Sequence, residues 1–376
     1  MAGDRKKIRV LIVDDSALIR KLLTAIFSSA ADMEVVGAAR DPIVARDLIK
    51  TLNPDVLTLD IEMPRMDGIS FLSNLMRLRP MPVVMVSSMT EKSADVTLQA
   101  LELGAIDFVL KPKVDITSGL EDCAEEIIEK VRIASRAKVW PVNTRTPNVN
   151  PKYSADAVIK NDSRPRHIVT TDKIVAIGAS TGGTEAIKQI LCDMPAHAPG
   201  IVITQHIPET FSTAFAQRMD RMSAMTVFEA SDGQQVLPGH VYIAPGDSHL
   251  MIKRSGARYI CKLSDGPPVN RHRPSIDVMF RSIAQHVGPN AIGVVLTGMG
   301  NDGAAGLKEI HLAGGYTIIQ DEKTSVVWGM PGEAYKLRVV DKVKPVNEIG
   351  ATLLKTVRRL DNGTKAGSGR GNQSAV

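Results

Sequence analysis

Five times between residues 8 and 134 a short apolar run gives way to a helix-spaced stretch. That rhythm restricts the fold more than any other feature of the chain. IRVLIV (8–13) precedes helical spacing through Leu18, Ile19, Leu22, Leu23 and Ile26. MEVVGAA (33–39) precedes PIVARDLIKTL (42–52), and DVLTLD (55–60) precedes ISFLSNLMRL (69–78). PVVMVSS (82–88) leads into SADVTLQALEL (93–103), and DFVLKP (107–112) is followed by EEIIEKVRIA (125–134). Apolar strands that alternate with amphipathic helices predict a doubly wound parallel sheet, covered on both faces.

A second alternation begins at Lys173. KIVAIG, GIVITQ (200–205), HVYIAP (240–245), AIGVVLT (291–297) and YTIIQ (316–320) are its clearest strands. The halves share an architecture type but no repeated sequence. Residues 137–171 between them carry several prolines and asparagines, six Lys/Arg and little periodicity, which reads as a linker. After Leu360 the Gly/Ser-rich stretch DNGTKAGSGRGNQSAV reads as a flexible tail. The expected division is a first domain at 6–125, a helix end and linker at 126–171, a second domain at 172–358 and a tail at 359–376. At 376 residues and 44% hydrophobic content the chain can fill two cores, although 4% aromatics leaves most packing to aliphatic side chains and methionine.

The net charge of +5 is thin for nucleic-acid binding, and no Lys/Arg block with interleaved aromatics appears. Cys123, Cys192 and Cys261 are too scattered for a metal site or a disulfide framework and fit a reducing cytoplasm. The apolar run in MAGDRKKIRVLIVDDS is too short for a signal peptide, and no run of ~18 apolar residues predicts a membrane span.

Polar residues gather at the carboxyl ends of the first set of strands. Asp14 and Asp15 follow the first, Asp60 ends the third, Ser87 ends the fourth and Lys111 ends the fifth. Ligands bind at that edge of an open parallel sheet. Any one acidic residue there could be a turn or cap residue, but the set in strand order suggests a site. Clustered carboxylates suit Mg²⁺, a lysine and a hydroxyl suit a phosphoryl group, and Asp60 could attack a phosphoryl donor.

In the second half, KIVAIGASTGGTEAIKQIL places Ser180 between a strand end and a helix start, inside a G-x-S-x-G match. The neighbouring helix N–H groups suit either an oxyanion or a phosphate, and a serine there can also be a plain helix cap. His206 follows the strand IVITQ, and Asp302 follows GVVLT through a glycine-rich turn, so both can reach Ser180 along one sheet edge. His272, in PPVNRHRPSID, competes with His206 as the base, and Asp302 could be only a turn residue. Met299 either packs or lends its N–H to an oxyanion. The order Ser…His…Asp differs from that of α/β-hydrolases, so a relay here would be convergent, on a Rossmann-like sheet. GASTGG also lacks dinucleotide-loop spacing, and no acidic residue closes the next strand, which argues against a nucleotide-binding oxidoreductase.

The series LIVDDS, LTLDIEMPRMDG, VVMVSS and FVLKP resembles the receiver domain of two-component response regulators. That resemblance implies a flavodoxin-like (βα)5 fold and phosphorylation of Asp60 by a histidine kinase. It also implies Mg²⁺ held by Asp14, Asp15, Asp60 and the Glu62 carbonyl, with Ser87 and Lys111 sensing the phosphoryl group. IGASTGGTEA, VITQHIPETFSTAFAQRM, NRHRPSIDVMF and VVLTGMGNDGAAGL resemble the catalytic domain of CheB-type chemotaxis protein-glutamate methylesterases. This second resemblance implies a Ser180–His206–Asp302 triad, with backbone N–H groups near Thr181 and Met299 facing the oxyanion. The implied activities are hydrolysis of γ-glutamyl methyl esters on cytoplasmic chemoreceptor domains and deamidation of receptor glutamines. It implies too that the unphosphorylated receiver covers the cleft. A response regulator with a non-catalytic or DNA-binding output is the alternative, but the second half shows no convincing helix-turn-helix.

Overall fold

The computed structural model describes residues 6–63, 66–88, 90–112, 120–137 and 172–367. The chain divides into two compact units, Met1–Arg145 and Thr146–Val376.

The strands of the first unit are β1 (Ile8–Val13), β2 (Met33–Ala39), β3 (Val56–Asp60), β4 (Val83–Ser87) and β5 (Asp107–Leu110). They form a parallel sheet in the order β2-β1-β3-β4-β5. Helices α1 (Ala17–Ser29), α2 (Pro42–Leu52), α3 (Gly68–Leu78), α4 (Glu91–Glu102) and α5 (Leu120–Ala134) alternate with them. Local chemistry starts α2 and α3 within a residue of where the sequence reading places them, while α4 and α5 begin two and five residues earlier, at Glu91 and Leu120. Ser16, Asp41 and Asp67 each accept a backbone N–H from the first turn, Thr90 and Ser93 form a capping box, and Pro42 opens α2 with its φ already helical. β3 and β4 are buried along their whole length, as continuous apolar strands require. Because β1 lies between β2 and β3, the order reverses there and opens a crevice at the carboxyl ends of β1 and β3.

The second unit is built around β6 (Ile174–Ala179), β7 (Gly200–Gln205) and β12 (Ala291–Val295), all fully buried. β13 (Tyr316–Gln320) and β14 (Lys342–Lys344) extend one side, and β9 (His240–Ile243) and β8 (Thr226–Glu229) the other. Together they make a seven-stranded parallel sheet in the order β14-β13-β12-β6-β7-β9-β8. Helices α6 (Gly183–Cys192), α7 (Glu209–Met222), α8 (Ile276–His286), α9 (Ala304–Leu312), α10 (Met330–Lys336) and α11 (Val346–Gly367) complete the unit.

The structure adds what the sequence pattern did not reveal. An antiparallel hairpin, β10 (His249–Ser255) and β11 (Arg258–Ser264), turns at Gly256 and packs Leu250, Ile252 and Cys261 into the core beside Met279 and Ile283 of α8. β10 passes from buried His249, Leu250 and Ile252 into exposed Lys253, Arg254 and Ser255, and β11 begins and ends in polar residues, so neither has the continuous apolar run of the central strands. β8 and β14 are short edge strands, likewise too polar to stand out. α11 continues to Gly367, past the expected start of the tail at 359, because an asparagine and one glycine do not outweigh a helix already several turns long. Residues 368–376, and residues 138–171 of the expected linker, lie outside the described residues.

Candidate functional site

β12, β6 and β7 are adjacent, so their carboxyl ends deliver Asp302, Ser180 and His206 to one edge. Ser180 follows β6 directly, and its N–H donates to the Thr297 carbonyl at 3.1 Å. It does not cap the following helix. The N-cap of α6 is Gly182, whose φ of 76° places the turn in the left-handed region that glycine tolerates. The serine hydroxyl instead faces His206, with Oγ 3.2 Å from Nδ1. The other ring nitrogen, Nε2, lies 2.9 Å from Asp302 Oδ2. In the chymotrypsin arrangement the two nitrogens serve the opposite partners, but the connectivity is the same. Here Nε2 carries the proton for Asp302 and leaves Nδ1 free to accept from Ser180.

Asp302 is 2% exposed and accepts from Asn270 Nδ2, Ser275 Oγ, Ile276 N and Asp277 N besides His206. Burial alone would raise its pKa. The His206 hydrogen bond and charge, with the donors from Asn270 and Ile276, outweigh burial and hold the carboxyl well below the usual carboxylate range. Asp277 goes the other way: burial raises it, the Asp302 charge adds to the rise, and the hydrogen bonds from Gly306, Asn270 and Gly303 do not offset the two. Its Oδ1 accepts from Gly303 N and Gly306 N, which ties the turn carrying Asp302 to α8.

His272, the competing base, stacks on His206 with ring centroids 3.6 Å apart and planes 12° apart. It forms a wall of the site, while His206 holds both hydrogen bonds. Thr181 is buried next to Ser180, and its carbonyl accepts from Thr297 Oγ1 at 3.0 Å. Met299 follows Gly298, whose backbone lies against Ser180, and the Met299 N–H makes no hydrogen bond among the described residues.

The sequence reading missed several residues that build this edge. Gln205 Nε2 donates to the Ser180 carbonyl at 3.0 Å, and Gln320 Oε1 accepts the Thr297 N–H at 2.8 Å. Asn270 and Ser275 lie in NRHRPSIDVMF, a stretch the resemblance picks out without giving either a role, while nothing in the spacing around His249 marks it.

Gly178 in β6 touches α8 so closely that a Cβ there would sit 2.3 Å from Ile276 Cγ2. Gly178→Ala should cost about 1–3 kcal/mol of stability by overpacking. It should also lower the hydrolytic kcat, since Ile276 donates to Asp302. Thermal melts and methanol-release assays read the two effects separately.

In the first unit, Asp14, Asp15 and Asp60 offer carboxylate oxygens that all lie within 4.8 Å of one another. Lys111 Nζ is 2.8 Å from Asp60 Oδ2 and 3.6 Å from Asp14 Oδ2. Burial pushes the Asp60 carboxyl up to about 6, against the Lys111 hydrogen bond and with help from the Asp14 charge. Glu62 N donates to Asp60 Oδ1 at 3.2 Å. Among the described residues Asp14 Oδ2 is buried without a hydrogen-bond partner, which fits a hard dication in this cluster. Ser87 lies on the neighbouring strand, where its hydroxyl donates to the Ser88 carbonyl and accepts from Thr97 Oγ1.

A (βα)5 unit with a carboxylate–lysine cluster at its switch point, joined to an α/β unit with a hydrogen-bonded Ser–His–Asp series, defines a regulated-hydrolase class. Residues 10–118 match the response regulator receiver domain family, and residues 175–353 match the CheB methylesterase family. A protein-glutamate methylesterase/protein-glutamine glutaminase of Xanthomonas euvesicatoria pv. vesicatoria is 58% identical over 92% of this chain and 96% of its own length. A Geobacter metallireducens protein of the same description is 59% identical over 91% of this chain and 94% of its own. The chain belongs to the family of protein-glutamate methylesterase/protein-glutamine glutaminases.

Proposed function

We propose that this protein is a phosphorylation-activated serine hydrolase. It demethylates γ-glutamyl methyl esters on cytoplasmic chemoreceptor domains and deamidates specific receptor glutamines, serving sensory adaptation in bacterial chemotaxis. The observation that carries this reading is the Ser180–His206–Asp302 series of hydrogen bonds.

His206 Nδ1 takes the hydroxyl proton as Ser180 Oγ attacks the ester carbonyl carbon. Asp302 keeps the ring oriented and stabilises the imidazolium. The backbone N–H groups of Thr181 and Met299 are the candidate donors to the tetrahedral oxyanion. His206 then returns the proton to the departing methoxide, and methanol leaves an acyl-serine. Water, deprotonated by His206, hydrolyses that ester and regenerates Ser180. With a glutamine substrate the leaving group is ammonia.

Asp60 is the phosphorylation site, and the donor is a chemotaxis histidine kinase. Asp14, Asp15, Asp60 and the Glu62 carbonyl would hold Mg²⁺, which when bound supplies positive charge against the incoming phosphoryl oxygens. Lys111 neutralises charge at Asp60, and Ser87 offers a hydroxyl one strand away. The proposed domain limits are 6–125 and 172–358. Among the described residues no helix is long and apolar enough to cross a membrane. We place the protein in the cytoplasm, where both its substrate domains and its kinase would lie.

The test is methanol release from a methylated receptor fragment, with and without a small phosphodonor and Mg²⁺. The expected result is release that rises with the phosphodonor and loses that rise in Asp60→Asn. Release without any dependence on Asp60 would refute the regulatory half of the reading.

A further inference from the structure

α8 begins on the Asp302 carboxylate. Ser275, the residue before the helix, does not cap it with its own side chain. Its hydroxyl donates to Asp302 Oδ1 at 2.9 Å instead, while Ile276 N and Asp277 N donate at 2.7 and 3.2 Å. Asp302 thus stands in for the missing cap, where the helix dipole favours a negative charge.

The start of α8 is fixed in turn by a histidine outside the triad. The Ser275 N–H donates to His249 Nδ1 at 3.1 Å, and His249 Nε2 donates to the Pro267 carbonyl at 3.0 Å. His249 is 3% exposed and Ser275 is 0% exposed. Each ring nitrogen therefore has one role. Nε2 carries the proton and Nδ1 is bare, which requires the neutral ring in a single tautomer.

We propose that His249 is a positioning residue of the hydrolase site. Its neutral imidazole holds the Ser275 N–H, so that the Ser275 hydroxyl and the first N–H groups of α8 fix the Asp302 carboxylate against His206. The path runs His249–Ser275–Asp302–His206–Ser180. It rests on the assignment of Ser180, His206 and Asp302 as the catalytic relay. Both ring nitrogens of His249 are engaged elsewhere, so it acts on that relay only through Ser275.

Two substitutions separate the two roles of the ring. His249→Asn keeps an acceptor near the place of Nδ1, whereas His249→Gln keeps a donor near the place of Nε2. Each variant is assayed as the full chain by methanol release from a methylated receptor fragment with phosphodonor. Rates are normalised to the folded fraction from circular dichroism. His249→Gln should lower kcat by about 10-fold or more with KM within about twofold, the scale expected when a reacting group is displaced by a fraction of an ångström. His249→Asn should stay within about threefold of the parent protein, since the critical acceptor survives. Ser275→Ala, which deletes only the hydroxyl, should lower kcat in the same sense without touching β10. Equal losses in the His249→Asn and His249→Gln variants, or an undiminished kcat in His249→Gln or Ser275→Ala, would overturn the proposal. Ser180→Ala runs in parallel. If it is inactive while His249→Gln is normal, the positioning role alone fails. If it keeps its activity, the catalytic relay is wrong and this proposal falls with it.

Discussion

Ser180→Ala should lower methanol release by at least about 10⁴-fold, the scale seen when a serine nucleophile is removed from a relay of this kind. The substitution deletes the proposed nucleophile, the hydroxyl that faces His206 Nδ1. The fold should be untouched, because Ser180 is held by its backbone. Its N–H donates to Thr297 and its carbonyl accepts from Gln205. Melting temperature and the phosphorylation of Asp60 by a small phosphodonor should therefore match the parent protein. Near-normal methanol release would sink the triad.

Asp60→Asn should stabilise the protein in metal-free buffer while abolishing its response to phosphodonor. Asp60 is 1% exposed, and burial pushes its carboxyl up to about 6. In the unfolded chain the value is roughly 3.9, so the folded state resists ionisation. The sign follows from that order. Below about pH 4 both states hold the proton and the group is neutral in its effect. Above the folded value both are ionised, and the buried charge costs roughly 3 kcal/mol. Asparagine keeps the shape and removes the charge. That cost already includes the 2.8 Å Lys111 partner, and in the variant Lys111 retains Asp14 at 3.6 Å. The expected net effect is about 1–3 kcal/mol at pH 7.5 in EDTA, shrinking toward zero near pH 4. Mg²⁺ should narrow the difference further by binding the parent carboxylates. Thermal melts of both proteins at two pH values, with and without Mg²⁺, measure all of this. A destabilised Asp60→Asn at pH 7.5 in EDTA would show that the Lys111 pair outweighs the burial cost.

Family membership is written in motifs that local chemistry makes readable. LIVDDS and LTLDIEMPRMDG declare a strand end with carboxylates, because an apolar run followed by acidic residues has few other uses. Asp14, Asp15 and Asp60 converge, since β1 and β3 are neighbours. Ser180, His206 and Asp302 are legible for the same reason. Each follows a strand in sequence, and the strands β6, β7 and β12 are adjacent in the sheet.

The two α/β units, the central strands and the polar residues at their carboxyl ends are all legible in the chain's order of residues. Those properties depend on the order of apolar and polar residues along a few turns or one strand. Residue order alone let both His206 and His272 reach this edge, and the resemblance implied His206; the folded chain shows that His206 is the ring hydrogen-bonded to Ser180 and Asp302, with His272 stacked on it. It alone brought His249, Asn270 and Ser275 to the Asp302 carboxylate or to its neighbours, and added the hairpin that carries His249. Contacts of that kind join residues tens of positions apart through a folded core. Even where a motif such as NRHRPSIDVMF contains them, local pattern does not assign their partners, since hydrogen bonding to a buried carboxylate requires only a donor at the right place in space.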